Sequence, residues 1–313
     1  GTSALLLLPL AAAWWWSIDL GSLLVAALTA RFVGVAILSG GVWHTFLRHA
    51  RLSFSWQEFR SLTHFGAWVM VTALVSPLMV LSDRFVIGAM QNAAAVAAYA
   101  IPFQIASRSL MLPFAIAQAL FPRFAAEHEP QARSRCRDFA VFVALIFAPP
   151  IIVLICLAEP LLRLWLGNLL DPRSIMVAPW LLAGFWTNAI AQVPFGFIQA
   201  RGHPRFTALL QVAELPIYAA LLIILGSAYG LPGFAAAFAI RCAADSLVLC
   251  RKAGAFDRST LMQMAIPAIL VGAGVAGASC LSHWQHELTM AFALGGLSLL
   301  ALLFLAPISL RRQ

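Results

Sequence analysis

Ten stretches of mostly apolar residues follow one another along the chain, at roughly 1–17, 20–43, 64–90, 94–122, 139–158, 174–199, 206–226, 232–250, 261–281 and 288–308. A helix of about 20 residues crosses the hydrocarbon core of a bilayer. No stretch alternates apolar with polar residues, so barrel strands are excluded. Lipid leaves helices as the remaining way to satisfy the backbone. Composition agrees: 62% of the residues are apolar and 10% are charged, against about 45–50% and about 25% in soluble domains. The pattern predicts an all-α, polytopic membrane helical bundle of about 10 transmembrane helices.

The net charge of +8 raises the question of nucleic acid. Placement answers it. If the ten stretches alternate across the membrane, one set of loops and ends carries Arg48, Arg51, Arg60, Arg123, Arg133, Arg135, Arg137, Arg201, Arg205, Arg251, Lys252, Arg258, Arg311 and Arg312. The opposite set carries only Arg163 and Arg173. Basic residues concentrate in cytoplasmic loops, so both ends of the chain are expected in the cytoplasm, and no nucleic-acid partner is expected.

Loop 44–63 holds Trp56, Phe59 and Leu62 every third residue, the pattern of a short helix lying in the membrane interface. It is the expected boundary between two helical lobes. The five cysteines form no CxxC and four lie in apolar stretches, so no disulfide is expected. No phosphate-binding GxxxxGK[ST] loop and no HExxH occurs. Two histidines, His283 and His286, sit three apart without further ligands. Neither a cofactor nor a metal is predicted, and the outer loops offer few acids for catalysis.

Seven charged residues fall inside the apolar stretches: Arg31, Asp83, Arg84, Arg108, Glu214, Arg241 and Asp245. Each costs about 2.5–3.5 kcal/mol at the bilayer centre on insertion scales. They must pair, snorkel or line a wet cavity. Arg241 and Asp245 are four apart and share a helix face. Arg31 and Arg108 have no acidic neighbour within a turn. Four cations against three acids suggest a positive interior, suited to phosphate or diphosphate, whose oxygens match the arginine fork. Asn188, Gln192 and Gln199 recur near helical spacing and either line a cavity or join helices. Prolines at 77, 102, 113, 149, 150, 194, 216 and 267 fit kinked helices that open to alternate sides.

Residues 64–125 carry a string of small motifs: Phe65-Gly66 with Trp68, Ser76-Pro77-Leu78, Asp83-Arg84-Phe85 with Ile87-Gly88, Tyr99-Ala100 with Pro102, and Leu120-Phe121-Pro122 with Phe124-Ala125. Asn188, Gln192-Val193-Pro194-Phe195, Gln199 with Arg201-Gly202, and Glu214-Leu215-Pro216 continue it. Over 64–250 the string resembles the polysaccharide-export and O-antigen flippases of bacteria, relatives of the multidrug and toxin extrusion (MATE) exporters. The resemblance implies MATE-like lobes, the first incomplete here: 1–45 as its last two helices, 46–63 as a cytoplasmic interfacial linker, 64–250 as a second six-helix lobe and 251–313 as an extra helix pair.

It also implies a non-enzymatic transporter of the bacterial inner membrane. Its substrate would be an undecaprenyl-diphosphate oligosaccharide. Its other partners would be membrane lipids, Na⁺ or H⁺ as coupling ion, and a polysaccharide polymerase. The expected cavity residues are Arg31, Arg84, Arg108, Arg241, Asn188 and Gln192. Asp83, Glu214 and Asp245 are expected to balance charge or couple ions. A MATE-type Na⁺- or H⁺-coupled multidrug exporter, with an acidic cavity, and a membrane-embedded polysaccharide polymerase or glycosyltransferase remain as alternatives.

Overall fold

The computed structural model describes residues 20–44, 55–255, 257–280 and 284–305. Eleven α-helices cover nearly all of them: α1 (Leu20–Val42), α2 (Trp56–Met90), α3 (Ala93–Ser107), α4 (Met111–Ala126), α5 (Glu129–Cys156), α6 (Ala158–Leu166), α7 (Pro172–Ala200), α8 (Pro204–Tyr229), α9 (Leu231–Lys252), α10 (Arg258–Cys280) and α11 (Trp284–Leu305). There is no strand among the described residues. Seven spans are long and apolar enough to cross a membrane, counting α3 and α4 as one. They coincide with seven of the expected stretches. Helices α1 and α11 fall on two more, and the stretch 1–17 lies outside the described residues. The protein is a multi-pass membrane protein.

Two compact units divide at Leu62 and Thr63. The first contains α1 and the opening turns of α2. Residues 56–62, expected to form a separate interfacial helix, are instead continuous with α2. The other unit holds the rest of α2 and all later helices.

Local chemistry starts and stops these helices. The Asn92 side chain accepts the Ala95 N–H at 2.8 Å and caps α3. Asp171 does the same for α7 through the Arg173 N–H at 2.9 Å. Proline opens α5, α7, α8 and α9, where its missing N–H costs nothing. Gly230, at φ 64°, reverses the chain between α8 and α9 in a conformation that L side chains avoid. Between α3 and α4 the chain narrows to a 3₁₀ turn, Arg108–Leu110. Pro113 cannot donate to the carbonyl one turn behind it, and the Ser107 and Ser109 hydroxyls turn back to the carbonyls of Gln104 and Ala106. The kink therefore has a covalent cause.

Helix α7 is the axle of the larger unit. Its apolar window is 67% buried, against 11% for α2. Ser174 donates to the Ala98 carbonyl of α3 at 2.8 Å. Trp186 donates to the Ala144 carbonyl of α5 at 3.0 Å. Helix α2 exposes Leu74, Leu78, Leu81 and Phe85, and polar contacts pin it to its neighbours. The Ser76 hydroxyl donates to Gln211 of α8 at 3.2 Å, and Asp83 accepts from Tyr99 of α3 at 2.8 Å. Interhelical hydrogen bonds of this kind join helices where lipid removes the hydrophobic drive.

Charges gather at one end of this unit. Arg201 donates to Glu129 at 2.6 Å and to the Glu127 carbonyl at 3.1 Å. Arg135 pairs with Glu127 and Arg137 with Asp257, both at 2.8 Å. Three of the basic loops expected on one side, around residues 127–138, 201 and 257, thus share one end. Gln91 approaches Gly230 at the other. Asp257 caps α10: its carboxylate accepts the Thr260 N–H at 2.9 Å and the Thr260 hydroxyl. These bonds, with Ser259 and Arg137, hold its carboxyl well below the usual range.

A depressed carboxyl contributes stability above its unfolded pKa and loses it as pH falls through the folded one. The melting temperature of the detergent-solubilised protein is expected to fall on acidification below about pH 4, and Asp257→Asn to flatten part of that fall. At the α8–α9 crossing, a Cβ on Gly233 would stand 1.9 Å from the Leu225 carbonyl. Gly233→Ala should cost at least about 1–3 kcal/mol and lower the melting temperature. Gly196→Ala, with nothing nearer than 3.8 Å, should not.

Candidate functional site

In the larger unit, α2, α3, α7, α8 and α9 converge on Arg241 of α9. Its side chain is 13% exposed and stands 3.8 Å from the Glu214 carboxylate of α8, itself 12% exposed. The guanidinium carbon lies 5.2 Å from the Tyr218 ring centre and 5.6 Å from that of Phe238. Its Nη2 reaches Cys242 Sγ at 3.2 Å and its Nη1 reaches Met79 Sδ of α2 at 3.8 Å. Rings, a soft sulfur and one carboxylate thus replace water around the cation. Asp245, one turn along α9, interacts with the Glu214 carboxyl and with Arg241. The ion pair that one helix face suggested, Arg241 with Asp245, gives way to an interhelical one with Glu214.

Asp83 belongs to the same cluster. It is 1% exposed and feels the Tyr218 hydroxyl and the Arg241 charge. Its Oδ2 is taken by Tyr99 at 2.8 Å. Of the options open to an in-span charge, Asp83 therefore pairs rather than snorkels: Tyr99 anchors it inside. Arg84 points another way, with its guanidinium 5.6 Å from the Phe103 ring centre. Phe103, Phe185 and Phe238 form one aromatic group, with centroids 5.0–5.4 Å apart. Arg84 and Arg241 therefore bear on the same group through different rings.

Five buried polar atoms have no hydrogen-bond partner among the described residues: Asp83 Oδ1, Arg84 Nε, Glu214 Oε2, Tyr218 Oη and Arg241 Nε. Unsatisfied buried groups are costly, and all five belong to this cluster or its aromatic flank. Nearby, Gln192 donates to Asn188 Oδ1 at 2.9 Å, and Asn188 contacts Cys242 Sγ at 3.7 Å. These two residues link α7 to the Arg241 neighbourhood. Gln199 is separate, reaching Thr207 at 3.5 Å.

The remaining expected cavity residues are not in this cluster. Arg108 is exposed and lines a recess beside α5, α6 and α7. Arg31 is exposed in the smaller unit. The cluster therefore holds Asp83, Glu214 and Asp245 against Arg241 and Arg84, a formal excess of one carboxyl rather than the positive interior that the sequence suggested. Tyr99, Tyr218 and Cys242, which the sequence reading passed over, complete it. Tyrosine is scarce here, with three in the whole chain, and two of them meet at Asp83. That scarcity inside apolar stretches was the available signal.

A double-mutant cycle tests the central pair. Glu214→Gln alone should cost up to about 3–5 kcal/mol, because it removes the carboxylate that pairs with a buried guanidinium. Glu214→Gln with Arg241→Met should recover much of that loss in thermal unfolding of the purified protein.

Comparison with known proteins follows the same direction. Residues 5–172 match the model of a family described as polysaccharide biosynthesis protein. A Shigella flexneri protein that carries the name O-antigen transporter is 31% identical over 235 residues. That match covers 75% of this chain and 56% of the relative, so the chain spans little more than half the relative's length. No solved structure matches the chain. The family match over more than half of the residues shows that the chain belongs to the polysaccharide biosynthesis protein family.

Proposed function

We propose that this chain is part of a transporter that flips an undecaprenyl-diphosphate-linked oligosaccharide across the bacterial inner membrane for surface polysaccharide assembly. The observation that carries the reading is Arg241, a guanidinium held inside a membrane bundle beside buried polar atoms that lack hydrogen-bond partners among the described residues. A permanent cation kept at this depth is a functional group by default. Arg241, with Arg84 behind the aromatic group, would attract the diphosphate. Asn188 and Gln192 would contact sugar hydroxyls. Arg31 belongs to the same proposal as a cavity residue of the first lobe, and Arg108 as a contact at the flank.

Asp83, Glu214 and Asp245 would exchange charge partners as the lobes alternate, with Na⁺ or H⁺ as the coupling ion. Both ends of the chain would face the cytoplasm. The domain plan is part of the proposal: 1–45 closes a first lobe, 46–63 links it, 64–250 is the second lobe and 251–313 an added pair. A polysaccharide polymerase would receive the product.

The excess of carboxyls over cations at the cluster favours a second reading, a cation-coupled multidrug exporter. The named relative weighs against it.

The deciding experiment uses the full-length protein in a strain deleted for its own gene. Arg241→Ala should abolish surface polysaccharide at normal membrane expression, while Arg241→Lys retains part of it. Undiminished polysaccharide from Arg241→Ala would remove the basis of the reading. Dye efflux lost together with intact polysaccharide would support the exporter instead.

A further inference from the structure

A second recess lies away from the Arg241 cluster. It has a volume of about 500 Å³ and is walled by the α3–α4 joint, the end of α5, α6 and α7. Its apolar walls include Ile105, Leu161, Trp165 and Leu182, and Arg108 and Ser109 of the 3₁₀ turn supply polar atoms. Each wall belongs to a spanning helix or to the short α6 that follows one. Lipid chains are therefore the neighbours of this recess. A recess of this size takes a segment of one hydrocarbon chain rather than a whole long one.

Arg108 decides what kind of chain. It is exposed into the recess and has no carboxylate partner among the described residues. Arg163 on α6, by contrast, is paired with Glu159 at 2.7 Å. Arg108 is also the midpoint of the 34-residue stretch Ala93–Ala126, about 22 Å along the helix from its start. An ordinary phospholipid keeps its phosphate at the membrane edge. A phosphate meets a cation at mid-depth only when a lipid head group is carried inward.

We infer that this recess holds the segment of the polyprenyl chain nearest the head group of the lipid-linked substrate, with Arg108 on its phosphate while the head group crosses. The inference rests on the transport reading above and adds a chain-binding site outside the Arg241 cluster. At 3.6 residues per turn, Arg108 stands on the side of the helix away from the buried face that Tyr99, Pro102, Phe103 and Ala106 form, and so faces the flank.

The test uses the full-length protein in phosphatidylcholine nanodiscs, with undecaprenyl phosphate as the probe and neutral undecaprenol and phosphatidylglycerol as comparators. Ile105→Trp and Leu161→Trp fill the recess from half-exposed positions that tolerate bulk. Each should weaken undecaprenyl phosphate binding at least tenfold at an unchanged melting temperature. Ile223→Trp, exposed on α8 outside the recess, should not. Arg108→Gln should weaken binding of the phosphate and spare that of undecaprenol. Wild-type affinity in both tryptophan variants overturns the inference, and so does equal competition by phosphatidylglycerol. If those variants bind and export normally while Arg241→Ala abolishes export, the recess is wrong and the transport reading stands. A wild-type protein that neither binds the probe nor exports polysaccharide overturns both.

Discussion

A guanidinium in the middle of an apolar bundle dictates what its neighbours must be. Arg241 loses its hydration when α9 packs against α7 and α8, and the loss has to be offset locally. Glu214 supplies the opposite charge, Tyr218 and Phe238 supply ring faces, and Cys242 and Met79 supply sulfur. Three helices, α2, α8 and α9, cannot meet at one side chain unless their heights and rotations agree. The cluster thus fixes the register of α2, α8 and α9 around α7 as firmly as the apolar core does. The core itself is generic, built from alanine, isoleucine, leucine and phenylalanine, and would tolerate sliding more readily than the charges do.

Two kinds of adhesion follow. Helices α5, α7 and α9 are joined by close packing, with glycine and alanine at the crossings and single hydrogen bonds such as Trp186 to Ala144. Helix α2 is joined chiefly through polar side chains: Ser76 to Gln211, Asp83 to Tyr99, and Met79 beneath Arg241. Packing is broad and resists small displacements collectively. Polar pins are few and directional, and each can exchange its partner. A helix held by pins is the element of this bundle best able to change its neighbours without unfolding.

Much of this was legible in the sequence because lipid permits so few solutions. Apolar length alone located the spanning helices, and the alternation of basic loops agrees with the shared charged end of Arg135, Arg137 and Arg201. Depth was legible too, since residues count it off along a helix. Azimuth was not. Arg108 and Arg241 lie at similar depth, yet one turns to the flank and the other inward. A residue count along one helix does not say which of its faces meets another helix. The same blindness hid the interhelical partner of Arg241, since Asp245 was near in sequence and Glu214 was near in space. Asp83 showed a charge and a depth, but its Tyr99 partner comes from another helix.

The tight reversal at Gly230 makes α8 and α9 into tongs. Near the tip there is no room for a side chain on Gly226 or Gly233, so the two arms touch backbone to ring and backbone to backbone. The charged pair sits farther down: Arg241 is 11 residues from Gly230, an arm of about 16 Å. Splaying such arms by only about 4° would part the pair by roughly 1 Å, enough to stretch a 3.8 Å contact and weaken its attraction by about a fifth. The hairpin thus magnifies a slight flexing at its tip into a loosened ion pair deep in the bundle. A force applied at the membrane surface would be felt first at Arg241.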